Sequence, residues 1–420
     1  MSTPSVAPQA ASSLRPSRVW HRFVVERVLS LAGKPPLVAT LWDGRKITTC
    51  DAPPLATVAI HNATTLWRLL INPFYQFCEA YSSGKLDVRG DLVEVLVALD
   101  RSVRASRGAS FLYNLVSHRL RMPRLHSLAA SRDNVYHHYD IGNDFYRLWL
   151  DEQLAYTCAY FPTRSESLDD AQVAKFDHVC RKLRLQPGEH VIEAGCGWGG
   201  LALHMARNYG VTVDAYNVSR EQLAYARGRA EAEGLDKQVA FHEQDWRHIA
   251  GRCDAFVSVG MLEHVGKLNY RRLGEVIHRV LSERGRGLIH SIGRNKPAPL
   301  DPWIERHIFP GSYPPSLAEM MRALEPREFS VLDVENLRLH YAETLRHWLA
   351  RFEQAVDVVA KMFDERFVRT WRLYLASSVA AFETGELQLF QIVFARGHNN
   401  EIPWSRSHLY ADAAAALPTT

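Results

Sequence analysis

The chain has 420 residues, 47% hydrophobic and 23% charged, a composition that suits a folded protein with one large and one smaller domain and argues against disorder. Its six cysteines (Cys50, Cys78, Cys158, Cys180, Cys196, Cys253) lie far apart, without a C-x-x-C pair or a secretory leader, and read as reduced thiols of a cytoplasmic protein with neither disulfides nor a metal site. No apolar run reaches the roughly 18 to 20 residues that span a bilayer, which excludes an integral membrane protein but not one that lies on a membrane surface.

Residues 1–18, rich in Ser, Pro and Ala, read as a flexible tail. Residues 19–100 read as a small α+β domain: the β-like runs "PLVATLW" and "ATVAIH" precede the helical "TLWRLLINPFYQFCEAYSSG", and no catalytic motif appears. The formal charge of +4 is concentrated in the connector 101–132, which holds arginines 101, 104, 107, 119, 121, 124 and 132 and no acid. Interleaved Phe111, Leu112, Tyr113, Leu115, Val116, Leu120, Met122 and Leu125 suit a basic amphipathic helix on an anionic phospholipid surface. The plainer alternative is a solvated connector that packs its apolar side on the next domain. Nucleic acid is disfavoured, since no recognised binding module accompanies the arginines.

The second domain, 133–400, opens near "NVYHHYDIGNDFYRLWLD" and is followed by a tail, 401–420. From residue 188 the chain alternates strand and helix, which predicts a Rossmann-like parallel sheet with helices on both faces. "HVIEAG" is the first buried strand, and "LALHMARNYG" is a helix closed by Gly210. "VTVDAYNV" is the second, followed by "SREQ", in which Ser219 and Gln222 are spaced as a capping box. "QVAFHEQ", "DAFVSVGM", "GLIHSIG", "FSVLDVENL" and "LQLFQIVFARG" complete a count of seven strands, with helical "AETLRHWLARFEQAVDVVAKMF" and "FVRTWRLYLASSVAAF" between the last two. An insertion at 294–328, stiffened by prolines 297, 299, 302, 310, 314 and 315 among others and bearing Trp303, Ile304, Ile308 and Phe309, is placed where a substrate lid would sit.

The stretch "VIEAGCGWGG" raises the question of its ligand. Gly195, Gly197 and Gly200 complete the G-x-G-x-x-G spacing by which dinucleotide folds approach a pyrophosphate, and Asp214 in the second strand keeps that nicotinamide reading as the alternative. The surrounding residues point instead to S-adenosylmethionine (SAM). Glu193 stands two residues before the first glycine, where an acid orients the amino-acid end of SAM. "EQDW" supplies an acid beside an aromatic for adenine, and "GMLEHVG" follows the fourth strand.

In order and spacing, "YTCAYF", "EAGCGWGGLALHMA", "NVSREQ", "QDWR", "SVGMLEHVG", "IHSIG", "DPWIERHIFPG" and "HYAETLRHW" resemble the cyclopropane fatty acid synthases and mycolic acid cyclopropane synthases, from about residue 133 to 397. The resemblance implies a seven-stranded SAM-methyltransferase sheet with helical acyl-channel insertions behind the small α+β domain. It implies methyl transfer from SAM to the cis double bond of an unsaturated phospholipid acyl chain, with bound bicarbonate deprotonating the resulting carbocation so that a cyclopropane ring closes. The bicarbonate pocket would be Cys158, Glu263, His290 and Tyr341 with the backbone around Ile292. Cofactor contacts would be Tyr139, Tyr156, Thr157, Glu193, Gly195, Gly197, Gly199, Asn217, Gln222, Asp245 and Trp246. Two departures stand out: Ser378 where many members carry a cysteine, and Asn217 where threonine is usual. The plain readings remain beside these roles: Glu263 as a loop acid, His290 as a satisfied core histidine, Tyr341 as a core aromatic and Cys158 as a small buried hydrophobe. The product alternatives are a methyl or methylene branch, or N-methylation of a small amine. The expected setting is the cytoplasmic face of an anionic membrane, with a homodimer left open.

Overall fold

The computed structural model describes residues 17–106 and 141–410. They divide into two compact units. The smaller comprises the N-terminal residues together with Phe363–Leu373, and the larger comprises the remainder.

The smaller unit runs α1 (Val19–Leu31), β1 (Leu37–Thr40), β2 (Lys46–Ile47), β3 (Ala56–Ile60), α2 (Ala63–Ile71), α3 (Pro73–Ser82), β4 (Leu86–Arg89) and α4 (Leu92–Ala105). Its strands form one sheet in the order β2-β1-β3-β4. The helical run expected from Thr65 onward is two helices, because Asn72 caps a new one through Tyr75 N and Pro73 occupies its first turn. Arg369, distant in sequence, is held in this unit by Tyr81 O, Leu86 O and the Asp87 carboxylate at 2.6–2.8 Å. Most of the arginine connector, 107–132, lies outside the described residues.

The larger unit runs α5 (Asn143–Arg147), α6 (Leu168–Leu183), β5 (His190–Ala194), α7 (Gly200–Tyr209), β6 (Thr212–Asn217), α8 (Arg220–Ala232), β7 (Val239–Glu243), β8 (Cys253–Val259), α9 (Leu262–Val265), α10 (Tyr270–Val280), β9 (Leu281–Gly293), α11 (Pro302–His307), α12 (Leu317–Met320), β10 (Phe329–Asn336), α13 (Arg338–Gln354), α14 (Val356–Met362), α15 (Glu365–Glu383) and β11 (Gln388–Arg396). Helix α15 begins in the smaller unit and passes to the larger after Leu373. All seven expected strands form one sheet, in the order β10-β11-β9-β8-β5-β6-β7. It is not wholly parallel: β11 inserts antiparallel between β10 and β9. Ser219 caps α8 by accepting from Gln222 N, but the Gln222 side chain does not return the bond. It accepts instead from Asn217 Nδ2 at 2.7 Å, so the expected capping box is half formed.

Strand residues alternate between two apolar layers. Val191, Val213, Val257, Leu288 and Val393 pack with Phe176, Val179 and Leu183 of α6, Leu203 of α7 and Leu223 of α8. Ile192, Phe256, Ile289 and Ile392 pack on the opposite face with Leu273 and Ile277 of α10. The same period of two places Glu193, His290 and Gln391 on the α6 face, toward the end of the sheet where α/β folds carry their sites.

Candidate active site

The loop from Gly195 to Gly199 links β5 to α7, and the backbone turns sharply there. Gly197 has φ +54°, and a Cβ built on it would meet nothing within 4 Å; Gly199 has φ +82°, and its Cβ would lie 2.8 Å from Phe241 and 2.9 Å from Ala226. The first glycine therefore keeps space open, whereas the second allows close packing. Asn217 Nδ2 donates to Gly197 O at 3.2 Å while its Oδ1 accepts from Val218 N and Ser219 N.

These residues border a cavity of about 170 Å³ lined by Tyr156, Thr157, Glu193, Gly195, Gly197, Asn217, Gln222, Asp245 and Trp246. Of the remaining expected cofactor residues, Gly199 packs just behind the loop, and Tyr139 lies outside the described residues. Asp214, which the nicotinamide reading needed, is not in the lining. It is taken up by His242 and His190, at 2.7 and 3.0 Å.

The lining also holds residues outside the expected cofactor set. Lys175, fully buried, donates to Thr157 Oγ1 at 2.8 Å, and Trp198 and His264 border the same space. The register of α6 carried a signal for the lysine: Leu168, Ala171, Gln172, Lys175, Val179 and Lys182 form its buried stripe, so a lysine falls on a core position.

The cavity is electrostatically unfinished. Glu193 is buried, and its Oε2 has no hydrogen-bond partner. Burial raises its carboxyl to about 8 against the opposing charge of Lys175. Burial likewise lowers Lys175 to about 8, opposed by Asp151, Cys158 and Glu193. An unpaired carboxyl and a buried ammonium bordering the same cavity fit the ammonium and carboxylate of an amino acid. Elsewhere in the lining, both Asp245 oxygens face Arg247, whose N and Nη1 lie 2.9 Å away, and Trp246 is held under the Arg247 guanidinium.

The other four singled-out residues do not line this cavity. They are tied to one another by a run of contacts beside it. Cys158 follows Thr157 and approaches Leu337 O at 3.9 Å. Leu337 N donates to Leu389 O, and Tyr341 N to Leu337 O. Leu389 is in register with Ile292, and Ile292 N donates to Glu263 Oε1 at 2.6 Å. Burial raises Glu263 to about 7, and its Oε2 has no partner. His290 accepts at Nδ1 from Gln391 Nε2 at 3.0 Å, and burial holds its imidazole neutral, which leaves the ring hydrogen on Nε2. Burial drives the Cys158 thiol upward, so it is no thiolate nucleophile.

The insertion 294–328 closes over this region. Tyr313 N donates to Glu263 O at 2.9 Å, Ser312 Oγ meets His264 Nδ1 at 3.0 Å, and Phe309 stands edge-on to Tyr374. Its Trp303 and Ile308 are buried rather than displayed to a surface. An aromatic chain connects the cofactor cavity to Tyr341: Tyr156 and Trp149 pack on Trp348, and Trp348 meets Tyr341, which tilts against Phe382.

Residues 126–392 match the mycolic acid cyclopropane synthetase family, and residues 24–107 match a domain of unknown function. The chain is 36% identical over 387 residues to a probable fatty acid methyltransferase of Pseudomonas putida, covering 89% of this chain and 96% of that protein. It is 41% identical over 270 residues to the cyclopropane-fatty-acyl-phospholipid synthase of Escherichia coli K12, covering 64% and 69% of the two chains. The solved mycolic acid cyclopropane synthase CmaA1 complexed with SAH and CTAB superposes with a TM-score of 0.60 at 28% identity, over 63% of this chain and 97% of that one. The protein belongs to the mycolic acid cyclopropane synthetase family, and it is a SAM-dependent methyltransferase.

Proposed function

We propose that the protein transfers the methyl group of SAM to a cis double bond in an unsaturated acyl chain of a phospholipid and closes a cyclopropane ring. The observation that carries this reading is Glu263, a buried carboxyl with one oxygen unpartnered, set beside the cofactor cavity and tied to His290, Cys158 and Tyr341 through neighbouring strands. As the sulfonium–methyl bond breaks, the alkene π pair forms the new carbon–carbon bond and leaves a carbocation. The ring closes when a proton leaves the new methyl group and its electron pair bonds to the cationic carbon. The aromatic chain from Tyr156 to Tyr341 would stabilise the cation and keep water from trapping it.

The unpartnered Oε2 of buried Glu263 suits a bound bicarbonate, which would supply the base. Glu263 Oε2 would accept a hydrogen bond from such an acid–anion, His290 would offer its Nε2 hydrogen, and Tyr341 would supply a hydroxyl. The chain's own residues thus fix the base and shield the cation, and Cys158 contributes only a small apolar wall. The phospholipid and the anionic membrane surface as partner belong to the same proposal. Among the described residues no helix is long and apolar enough to cross a membrane. The similarity to the P. putida fatty acid methyltransferase over 89% of the chain favours a second reading, in which the same cation ends as a methyl or methylene branch.

The test is S-adenosylhomocysteine release by purified protein with dispersed phospholipid. Monounsaturated chains are expected to support release and saturated chains of equal length to give none. Equal release with both would overturn the reading.

A further inference from the structure

The smaller unit carries none of the chemistry described above, yet it shows a surface that a water-facing domain does not need. In α1 the inward residues are His21, Val24, Val25 and Leu29, and in α2 they are Thr65, Leu66 and Leu69. Large apolar side chains stand on the outward faces as well. Val19 is 84% exposed, Phe23 70% and Ile71 78%, and Trp20 and Trp67 are exposed beside them. The two tryptophan rings stack with centroids 5.2 Å apart, so the two helices present one patch rather than scattered residues. Helical spacing aligns Trp20, Phe23 and Arg27 on α1, and Thr64, Trp67, Arg68 and Ile71 on α2.

The charges around this patch are mostly positive, and the Asp43 carboxylate near the start of α1 is taken up by Ser17 N and Oγ. Arg18, Arg22, Arg27 and Arg68 are all exposed, and the one acid within the two helices, Glu26, is bonded to Arg22 at 2.8 Å. Exposed aromatic groups ringed by arginines suit the boundary of an anionic bilayer, where indole rings sit at headgroup depth and guanidinium groups meet phosphate. A second copy of the chain is a poor occupant, because an isologous contact would set the four arginines against four more. The chain's own residues 1–16 contain no acid, 107–140 carry Asp133 and Asp140 against five arginines, and 411–420 carry only Asp412, so none is a match for them.

From this we infer that the α1–α2 face is the surface by which the protein docks on an anionic phospholipid membrane. The inference rests on the acyl-chain reading for its purpose but not for its test. The full chain is sedimented with vesicles of phosphatidylglycerol and phosphatidylcholine, and with phosphatidylcholine alone, across a salt series. Wild type is expected to bind the anionic vesicles and to be released by salt, since the attraction decays over a Debye length. Phe23→Ser/Ile71→Ser and, separately, Arg27→Glu/Arg68→Glu are each expected to lower the bound fraction about tenfold or more, with SAM binding and melting temperature unchanged. Undiminished vesicle binding by both variants overturns the inference. So does a variant that keeps vesicle binding but loses self-association in sedimentation equilibrium, which assigns the face to a second copy. Turnover on detergent-dispersed lipid separates the two questions: variants that fail only on vesicles support the docking face, whereas a wild type that binds vesicles but never consumes SAM on any unsaturated lipid refutes the acyl-chain reading and leaves the face in place.

Discussion

Glu335→Gln is expected to destabilise the catalytic unit in a way that depends on pH. Glu335, next to last in β10, is in register with Gln391, one strand from His290. Its Oε2 meets His178 Nε2 at 2.7 Å and Lys182 Nζ at 2.6 Å, both buried residues of α6. Burial alone would raise the carboxyl, but the hydrogen bond from His178 and the charge of Lys182 override it and hold it at about 2. A fall from 4.5 to about 2 corresponds to about 3 kcal/mol, which the 30% exposure of the side chain reduces to about 2 kcal/mol. Burial also lowers Lys182 in the same triad, so the intact pair is worth less than the glutamate side alone implies. Removing the anion strands Lys182 without its counter-charge, however, and a broken buried pair costs about 3 kcal/mol. At about 2–4 °C per kcal/mol the variant should melt roughly 6–12 °C below wild type at pH 7. Because the folded value is depressed, the contribution is fully present above pH 4.5 and is lost as pH falls through about 2. Scanning fluorimetry from pH 7 to pH 3 should therefore show a gap that stays constant to about pH 5 and then narrows. A gap below about 1 °C at pH 7, or one that widens on acidification, would refute the reasoning.

Lys175→Met should weaken SAM about tenfold to a hundredfold while leaving 5′-methylthioadenosine, which lacks the amino-acid end, nearly unaffected; equal losses for both ligands in calorimetry would make Lys175 a structural residue. Gly197→Val should abolish SAM binding with a cost of only about 1–2 kcal/mol to folding, whereas Gly199→Ala, driven onto Phe241 and Ala226, should destabilise by about 2–3 kcal/mol. Thermal melts with and without SAM distinguish the two. Glu263→Gln should lower turnover about tenfold to a thousandfold with little change in SAM affinity. Since burial places the carboxyl near 7 and protonation removes its charge and leaves only one oxygen as a full acceptor, wild-type kcat/KM should rise with pH through about 7, and the variant should lose that limb. Charge reversal of Arg119, Arg121 and Arg124 tests the connector as an additional membrane contact: vesicle sedimentation should fall while SAM binding survives.

The seven strands of the catalytic unit were legible because each is a short β-rich run bounded by glycine, proline or polar turns. The direction of β11 was not, since "LQLFQIVFAR" is buried on both faces and an unbroken apolar run carries no mark of its partners' orientation. Helix α1 escaped notice because Val19, Trp20 and Phe23 on its outer side blur the amphipathic stripe made by Val24, Val25 and Leu29. In the site, the glycines and Glu193 could be read from spacing alone. Lys175 could not be valued without α6 packed on the sheet. The bond from Ile292 N to Glu263 joins residues 29 apart in sequence, and only the parallel pairing of β8 with β9 brings them together.

The central claim, methyl transfer to an acyl double bond followed by loss of a proton from the new methyl, is tested most directly with SAM carrying a fully deuterated methyl group. Purified protein is incubated with monounsaturated phospholipid, and the lipid is analysed by mass spectrometry before and after catalytic hydrogenation. The account predicts a product heavier by one CD2 group that resists hydrogenation. A product that keeps all three deuteriums, or takes up hydrogen, would contradict ring closure in favour of a branched chain, and an unchanged lipid in the presence of bound SAM would contradict the acyl-chain reading itself.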